Sequence, residues 1–137
     1  MAEITGGCLC GAVRYSAAMA PERVGICHCL DCRKVSGSIF NVFATFPADQ
    51  VTVSGETRLT PAGRAPGRRF CPRCGSPVFS HAEGSREIEI HVGSFDEPGR
   101  VVPGYELWIG RREPWLPEIP GLVPYERDRP EGGATRP

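Results

Sequence analysis

The sequence predicts a small, mainly β domain, and three observations carry that expectation. Apolar and polar residues alternate over short stretches, most strictly from Glu87 to Val92, where Ile88, Ile90 and Val92 share one face. The 17 glycines and 14 prolines among 137 residues interrupt the chain every few positions, and no stretch keeps a helical period. The 7 cysteines fall in three tight groups, a spacing that suits metal ligands better than looping cross-links.

Taken in order, Gly6-Gly7-Cys8-Leu9-Cys10-Gly11 is a glycine-framed turn that lets two thiols point at one ion, and Ala12 to Ser16 continues as a strand. Ala17 to Pro21 reads as a loop, and Val24 to Ile26 as a short strand leading into Cys27-His28-Cys29-Leu30-Asp31-Cys32. Asp31 to Val35 predicts one helical turn with Asp31 as N-cap, broken at Ser36-Gly37-Ser38. Ile39 to Phe46, aromatic and β-branched, predicts a buried strand closed by Pro47. Val51 to Val53 and Thr57 to Leu59 predict further strands, and Pro61 to Arg68 a surface loop. Phe70-Cys71-Pro72-Arg73-Cys74-Gly75 has the C-P-x-C-G pattern of a zinc knuckle, left by a strand at Val78 to Ser80. Tyr105 to Ile109 predicts a last strand. One zinc-binding β domain over 1–126 follows, with a flexible tail over 127–137.

The 16 basic and 16 acidic residues cancel, Lys34 is the single lysine, and no basic stripe carries interleaved aromatics, so nucleic acid is not an expected partner. No apolar run has the length of a membrane span, and the N-terminus has no charged head before an apolar stretch. A soluble, unexported cytoplasmic protein without membrane partners is expected. The sequence carries no signature of oligomeric state. An odd number of cysteines excludes a fully paired disulfide framework within one chain, and in a reducing compartment local C-x-C and C-x-x-C pairs read as metal ligation.

The seven thiols divide into four and three. Cys8, Cys10, Cys71 and Cys74 form a closed, structural zinc site that joins two distant segments across a loop of roughly sixty residues; the rival reading is free thiols or two local disulfides. Cys27, Cys29 and Cys32 leave a tetrahedral position open, as catalytic zinc requires. Three thiolates give zinc one net negative charge, which weakens it towards carbonyls and suits it to holding a substrate thiol as thiolate. Arg33 and Lys34 either offset that charge or form a solvated helix turn. The rivals are a closed site completed by a residue such as His28, or a redox dithiol of Cys29 and Cys32. His28, flanked by ligands, should point away from them, with room for a proton-transfer role. His91 reads as exposed, Trp108 and Trp115 as buried packing with cleft lining as the alternative, and Ser36, Ser38 and Ser94 show no nucleophile context.

Three segments together resemble a known family: Gly6 to Tyr15 (GGCLCGAVRY), Cys27 to Ser38 (CHCLDCRKVSGS) and Phe70 to Phe79 (FCPRCGSPVF) are similar to the glutathione-dependent formaldehyde-activating enzymes, a family that includes centromere protein V. The likeness runs on through Val92 to Asp96 and Leu107 to Ile109, about residues 4 to 126. It implies a mainly β fold related to small zinc-bearing exchange-factor chaperones. It also implies the same division of metals: structural zinc on Cys8, Cys10, Cys71 and Cys74, catalytic zinc on Cys27, Cys29 and Cys32. The implied activity joins glutathione and formaldehyde into S-hydroxymethylglutathione, a carbon–sulfur lyase reaction run in reverse, with a small-molecule thiol or thiol–aldehyde adduct as partner. The motifs identify no residue for a carboxylate of the tripeptide; arginines such as Arg33 or Arg111 could serve, among the many in this chain. The alternatives from other classes are a non-catalytic zinc-binding interaction module and a thiol-redox protein.

Overall fold

The computed structural model describes residues 2–130. Among them the chain runs β1 (Ile4–Gly7), β2 (Arg14–Ala17), β3 (Arg23–Cys27), α1 (Leu30–Ser36), β4 (Asn41–Pro47), β5 (Val51–Ser54), β6 (Arg58–Leu59), β7 (Arg68–Phe70), β8 (Pro77–Ser80), β9 (Glu87–His91), β10 (Tyr105–Leu107) and β11 (Val123–Pro124). The fold is mainly β, as the alternation of short strands and turns implies. Strands β1, β2 and β5 form one sheet, and the other eight form a second in the order β11-β10-β3-β4-β9-β8-β7-β6. Pairing is antiparallel except where β10 lies parallel to β3 and to β11. No helix of the described residues is long and apolar enough to cross a membrane.

Strand β4 explains how the two halves of the interior arise. It lies between β3 and β9, so both of its edges are paired. A cluster of side chains packs on each of its faces, and Phe43, Ala44, Thr45 and Phe46 are all buried. Alternation sends Val42, Ala44 and Phe46 to one face, where they pack with Ile4, Val13, Ile88 and Ile90. It sends Phe43 to the other, against Cys27, Cys29, Cys32, Tyr105 and Leu107. Hence one strand separates a larger core, which includes Cys8 and Cys71, from a smaller one built around Cys27, Cys29 and Cys32.

Several element boundaries differ from the sequence expectation, each for a local reason. The helix begins at Leu30, and its N-cap is Cys29, whose sulfur accepts the Cys32 N–H at 3.3 Å. Asp31 sits inside the first turn, and its carboxylate accepts the Arg64 N–H instead. β4 starts at Asn41, because residues 37–40 turn the chain out of the helix. Arg68 belongs to β7 and is buried, not part of a surface loop. β10 stops at Leu107, because Trp108 adopts a left-handed conformation with φ 58°.

Gly25 shows why the parallel pairing works. It stands opposite Tyr105, and a Cβ there would lie 2.5 Å from the tyrosine ring. Without one, the ring lies flat across β3 and reaches Phe43, centroid to centroid at 6.1 Å.

Residues 127–129 of the predicted tail lie against the body. Trp108 N–H donates to the Arg127 carbonyl, Trp108 Nε1 to Asp128 Oδ1, and Arg129 lies over the Tyr105 ring. Residues 131–137 fall outside the described residues.

Candidate metal centres

The four-cysteine cluster forms where two turns meet. Cys8 and Cys10 come from the β1–β2 turn, Cys71 and Cys74 from the β7–β8 turn, and their four sulfurs all lie within 4.8 Å of one another. The Cys8–Cys10 and Cys10–Cys71 sulfur separations are 3.6 and 3.8 Å. Tetrahedral ligands on zinc–sulfur bonds of about 2.3 Å stand about 3.8 Å apart, so the spacing fits that ion. It is far too long for a disulfide, and all seven cysteines are free.

Backbone N–H groups already face these sulfurs. Val13 donates to Cys8 Sγ at 3.2 Å, and Arg73 and Cys74 donate to Cys71 Sγ at 3.4 and 3.5 Å. Such donors favour thiolate over thiol. Gly75, at φ 80°, turns its own N–H back to the Cys71 carbonyl at 2.8 Å, which only a left-handed residue permits here. Ser76 ties the turns together: its Oγ accepts the Leu9 N–H at 3.1 Å and lies 3.2 Å from Cys74 Sγ. That hydroxyl is the main reason the Cys74 thiol is pulled down to about 5.

The three-cysteine cluster is more deeply set. Cys27 ends β3, Cys29 caps α1 and Cys32 lies on its first turn, so strand end and helix start aim three sulfurs inward, again within 4.8 Å of one another. Cys27 and Cys29 are fully buried, and Cys32 is 4 % exposed. Hydrogen bonds from the Cys27 and Cys32 thiols pull Cys29 down to about 2, while the same contacts push Cys27 up. Of the three, the Cys29 sulfur is the one that most readily takes the thiolate form.

The cation that faces this charge is not the expected one. Arg33 reaches away, to the Arg111 carbonyl and the Glu113 carboxylate, and Lys34 is exposed. Arg68 comes instead from β7, with Nη2 3.6 Å from Cys32 Sγ and 6 % exposure. Its pull on the sulfurs follows from Coulomb's law at short range in a dry setting. The sequence offered no local signal for it, because residues 32 and 68 meet only through the pairing β7-β8-β9-β4-β3.

Cys32 and Arg68 form part of the wall of a cavity of about 200 Å³, with Phe43, Leu107 and His91 beside them. His91 is thus a cavity residue and not an exposed one. Burial, helped by the Arg68 charge, lowers its pKa to about 4, so the ring is neutral at pH 7. The sign of the linkage follows: neutral His91 favours the fold above about 6.5, the unfolded value, and that contribution is lost as pH falls towards about 4.

Behind the sulfurs, His28 turns away from them, as its place between two ligands requires. It is fully buried, with Nε2 2.9 Å from Glu106 Oε1, and Arg112 Nε lies 3.6 Å from the same oxygen. Phe40 packs edge-on against the imidazole at 5.6 Å. His28 therefore braces the cluster from the rear. Glu106→Ala should leave an imidazole and a guanidinium buried without their acceptor and cost about 3–5 kcal/mol. Urea unfolding checks this; a loss below about 1 kcal/mol would show the triad to be dispensable.

The other flagged residues have structural roles or none at the site. Trp108 packs on the cysteine-bearing core, whereas Trp115 is 67 % exposed and not buried as expected. Ser36 and Ser38 make turn contacts after α1, and Ser94 Oγ bonds the His91 carbonyl and the Tyr15 hydroxyl. Arg33 and Arg111 do not line the cavity; Arg23, Arg68 and Arg129 do.

Comparison with known proteins follows the same outline. A family model described as glutathione-dependent formaldehyde-activating enzyme matches residues 3–111. No curated protein matches the chain. A crystal structure of a Rhodobacter sphaeroides protein, a structural genomics target, is similar with a TM-score of 0.56 and 24% identity, covering 72% of this chain and 97% of that one. At that identity the likeness speaks to fold.

Proposed function

From the premise that this chain belongs to the glutathione-dependent formaldehyde-activating enzyme family, we propose that it is a zinc-dependent carbon–sulfur lyase-type enzyme acting on a thiol and an aldehyde or their adduct, glutathione and formaldehyde being the first pair to test. The working unit in this reading is residues 1–126 with the segment 127–129 that packs on them, in the cytoplasm. Cys8, Cys10, Cys71 and Cys74 hold a structural zinc, and Cys27, Cys29 and Cys32 a catalytic one. The observation that carries the reading is the difference in surroundings: the three-sulfur cluster has Cys32 in a cavity wall with a buried arginine against it. A purely structural module would have no use for that opening.

Cys27, Cys29 and Cys32 would hold the zinc, which when bound would favour the thiolate form of an incoming sulfur. The protein's own groups do the rest. Phe43 and Leu107 keep the approach to Cys32 dry, which strengthens each charge interaction inside. Arg68 balances the negative charge of the cluster, so that a further anionic sulfur is tolerated beside the three. Neutral His91 offers a hydrogen-bonding edge without adding charge. The overall change is balanced: the thiol sulfur bonds to the aldehyde carbon, the carbon–oxygen double bond becomes single, and the thiol proton ends on that oxygen.

Protein purified under reducing conditions should contain about two zinc ions per chain. After cobalt replacement, glutathione should change the visible absorption of one of two sites, and the metal-loaded protein should speed formation of S-hydroxymethylglutathione. An unchanged cobalt spectrum would remove the thiol-binding reading. About one metal per chain, with ready oxidation of Cys29 and Cys32, would put the redox reading in its place.

A further inference from the structure

The cavity beside Cys32 is completed by residues beyond the family match, which stops at residue 111. Asp128 and Arg129 line it, because the chain after β11 returns past β10. The return is held by Trp108, whose N–H meets the Arg127 carbonyl at 3.2 Å and whose indole Nε1 meets Asp128 Oδ1 at 3.1 Å. The Arg129 guanidinium carbon then lies 5.4 Å from the Tyr105 ring centroid. A guanidinium over a ring face keeps its N–H donors, which lie in its own plane, for an acceptor at its edge.

Arg23, Tyr105 and Arg129 also line a second, more open groove of about 530 Å³. Arg129 therefore borders both the Cys32 cavity and the surface groove. The inner cavity of about 200 Å³ is smaller than sites that enclose a whole drug-sized ligand, about 300–1,000 Å³. It has room for the reacting end of a peptide-sized thiol, and Arg129 stands on the wall that the cavity shares with the larger groove. Two charged neighbours on that wall are already engaged: Arg23 in a two-pronged pair with Glu87 at 2.9 and 2.7 Å, and Asp128 by the indole.

We propose that Arg129 is a specificity-determining residue that pairs with a carboxylate of the thiol as its tail leaves the Cys32 cavity, selecting carboxylate-bearing thiols. The proposal rests on the reading of that cavity as the thiol site. The test is titration of cobalt-loaded protein, followed by visible absorption, with glutathione and with 2-mercaptoethanol, which has no carboxylate. Arg129→Gln should weaken glutathione about 10- to 100-fold, the worth of one charge-assisted hydrogen-bonded pair, and Arg129→Lys should recover part of it. 2-Mercaptoethanol should bind all three proteins alike. Equal glutathione affinity in the wild type and Arg129→Gln would overturn the role of Arg129 while leaving the thiol site intact. An equal loss for both thiols would overturn it too, since recognition of the carboxylate would not be what the arginine does. Failure of the wild type to respond to either thiol would overturn the thiol site and, with it, this proposal.

Discussion

Cys71→Ser should leave the chain without a cooperative thermal transition. Cys71 is fully buried, accepts two backbone N–H groups and lies 3.8 Å from Cys10, 61 positions earlier. Structural zinc contributes on the order of 10–16 kcal/mol of apparent binding energy in small domains. A domain's whole net stability is about 5–15 kcal/mol, so if the cluster holds zinc, losing most of that contribution is comparable with the whole of it. Circular dichroism during heating, with soluble yield, is the measurement. A folded variant melting within about 5 °C of the wild type would show that the cluster is not what closes the fold.

Cys29→Ser should do the reverse: keep the fold and abolish the activity. Its cluster spans six residues, so it closes no long loop, and the core around Phe46, Ile88 and Ile90 is on the other face of β4. A buried hydroxyl in place of a sulfur costs about 1–3 kcal/mol, which a folded domain survives. The metal's contribution to a transition state is several kcal/mol, so S-hydroxymethylglutathione formation should slow by about 10³-fold or more, with zinc falling by one per chain. A rate within tenfold of the wild type would place the chemistry elsewhere.

The contrast between these variants shows what could be read from the sequence. Both cysteine groups were legible because their spacing is local, and the pairing of Cys8/Cys10 with Cys71/Cys74 followed from having two half-sites. Strand β9 was legible for the same reason, since alternation is a property of adjacent residues. The side chains that face the three sulfurs were not. Arg68 reaches Cys32 through four strand pairings, and Glu106 reaches His28 through a parallel pairing that no hairpin signal announces. His91 looked exposed because its strand has a polar face; that face turned out to be a cavity wall. Arg129 sat in a segment rich in proline and charge, where composition suggests a tail and says nothing of a tryptophan that holds it.

The distances along the chain between the two sets of ligands also set a timetable. Synthesis proceeds from the N-terminus at roughly 5–20 residues per second, so the three-cysteine group is complete about 2–8 s before Cys74 is made. Through that interval the growing chain carries Cys8 and Cys10 without their partners, beside a finished set of three. Whatever soft metal the cell offers meets the three-cysteine group first, while the scaffold that will enclose it is still being made.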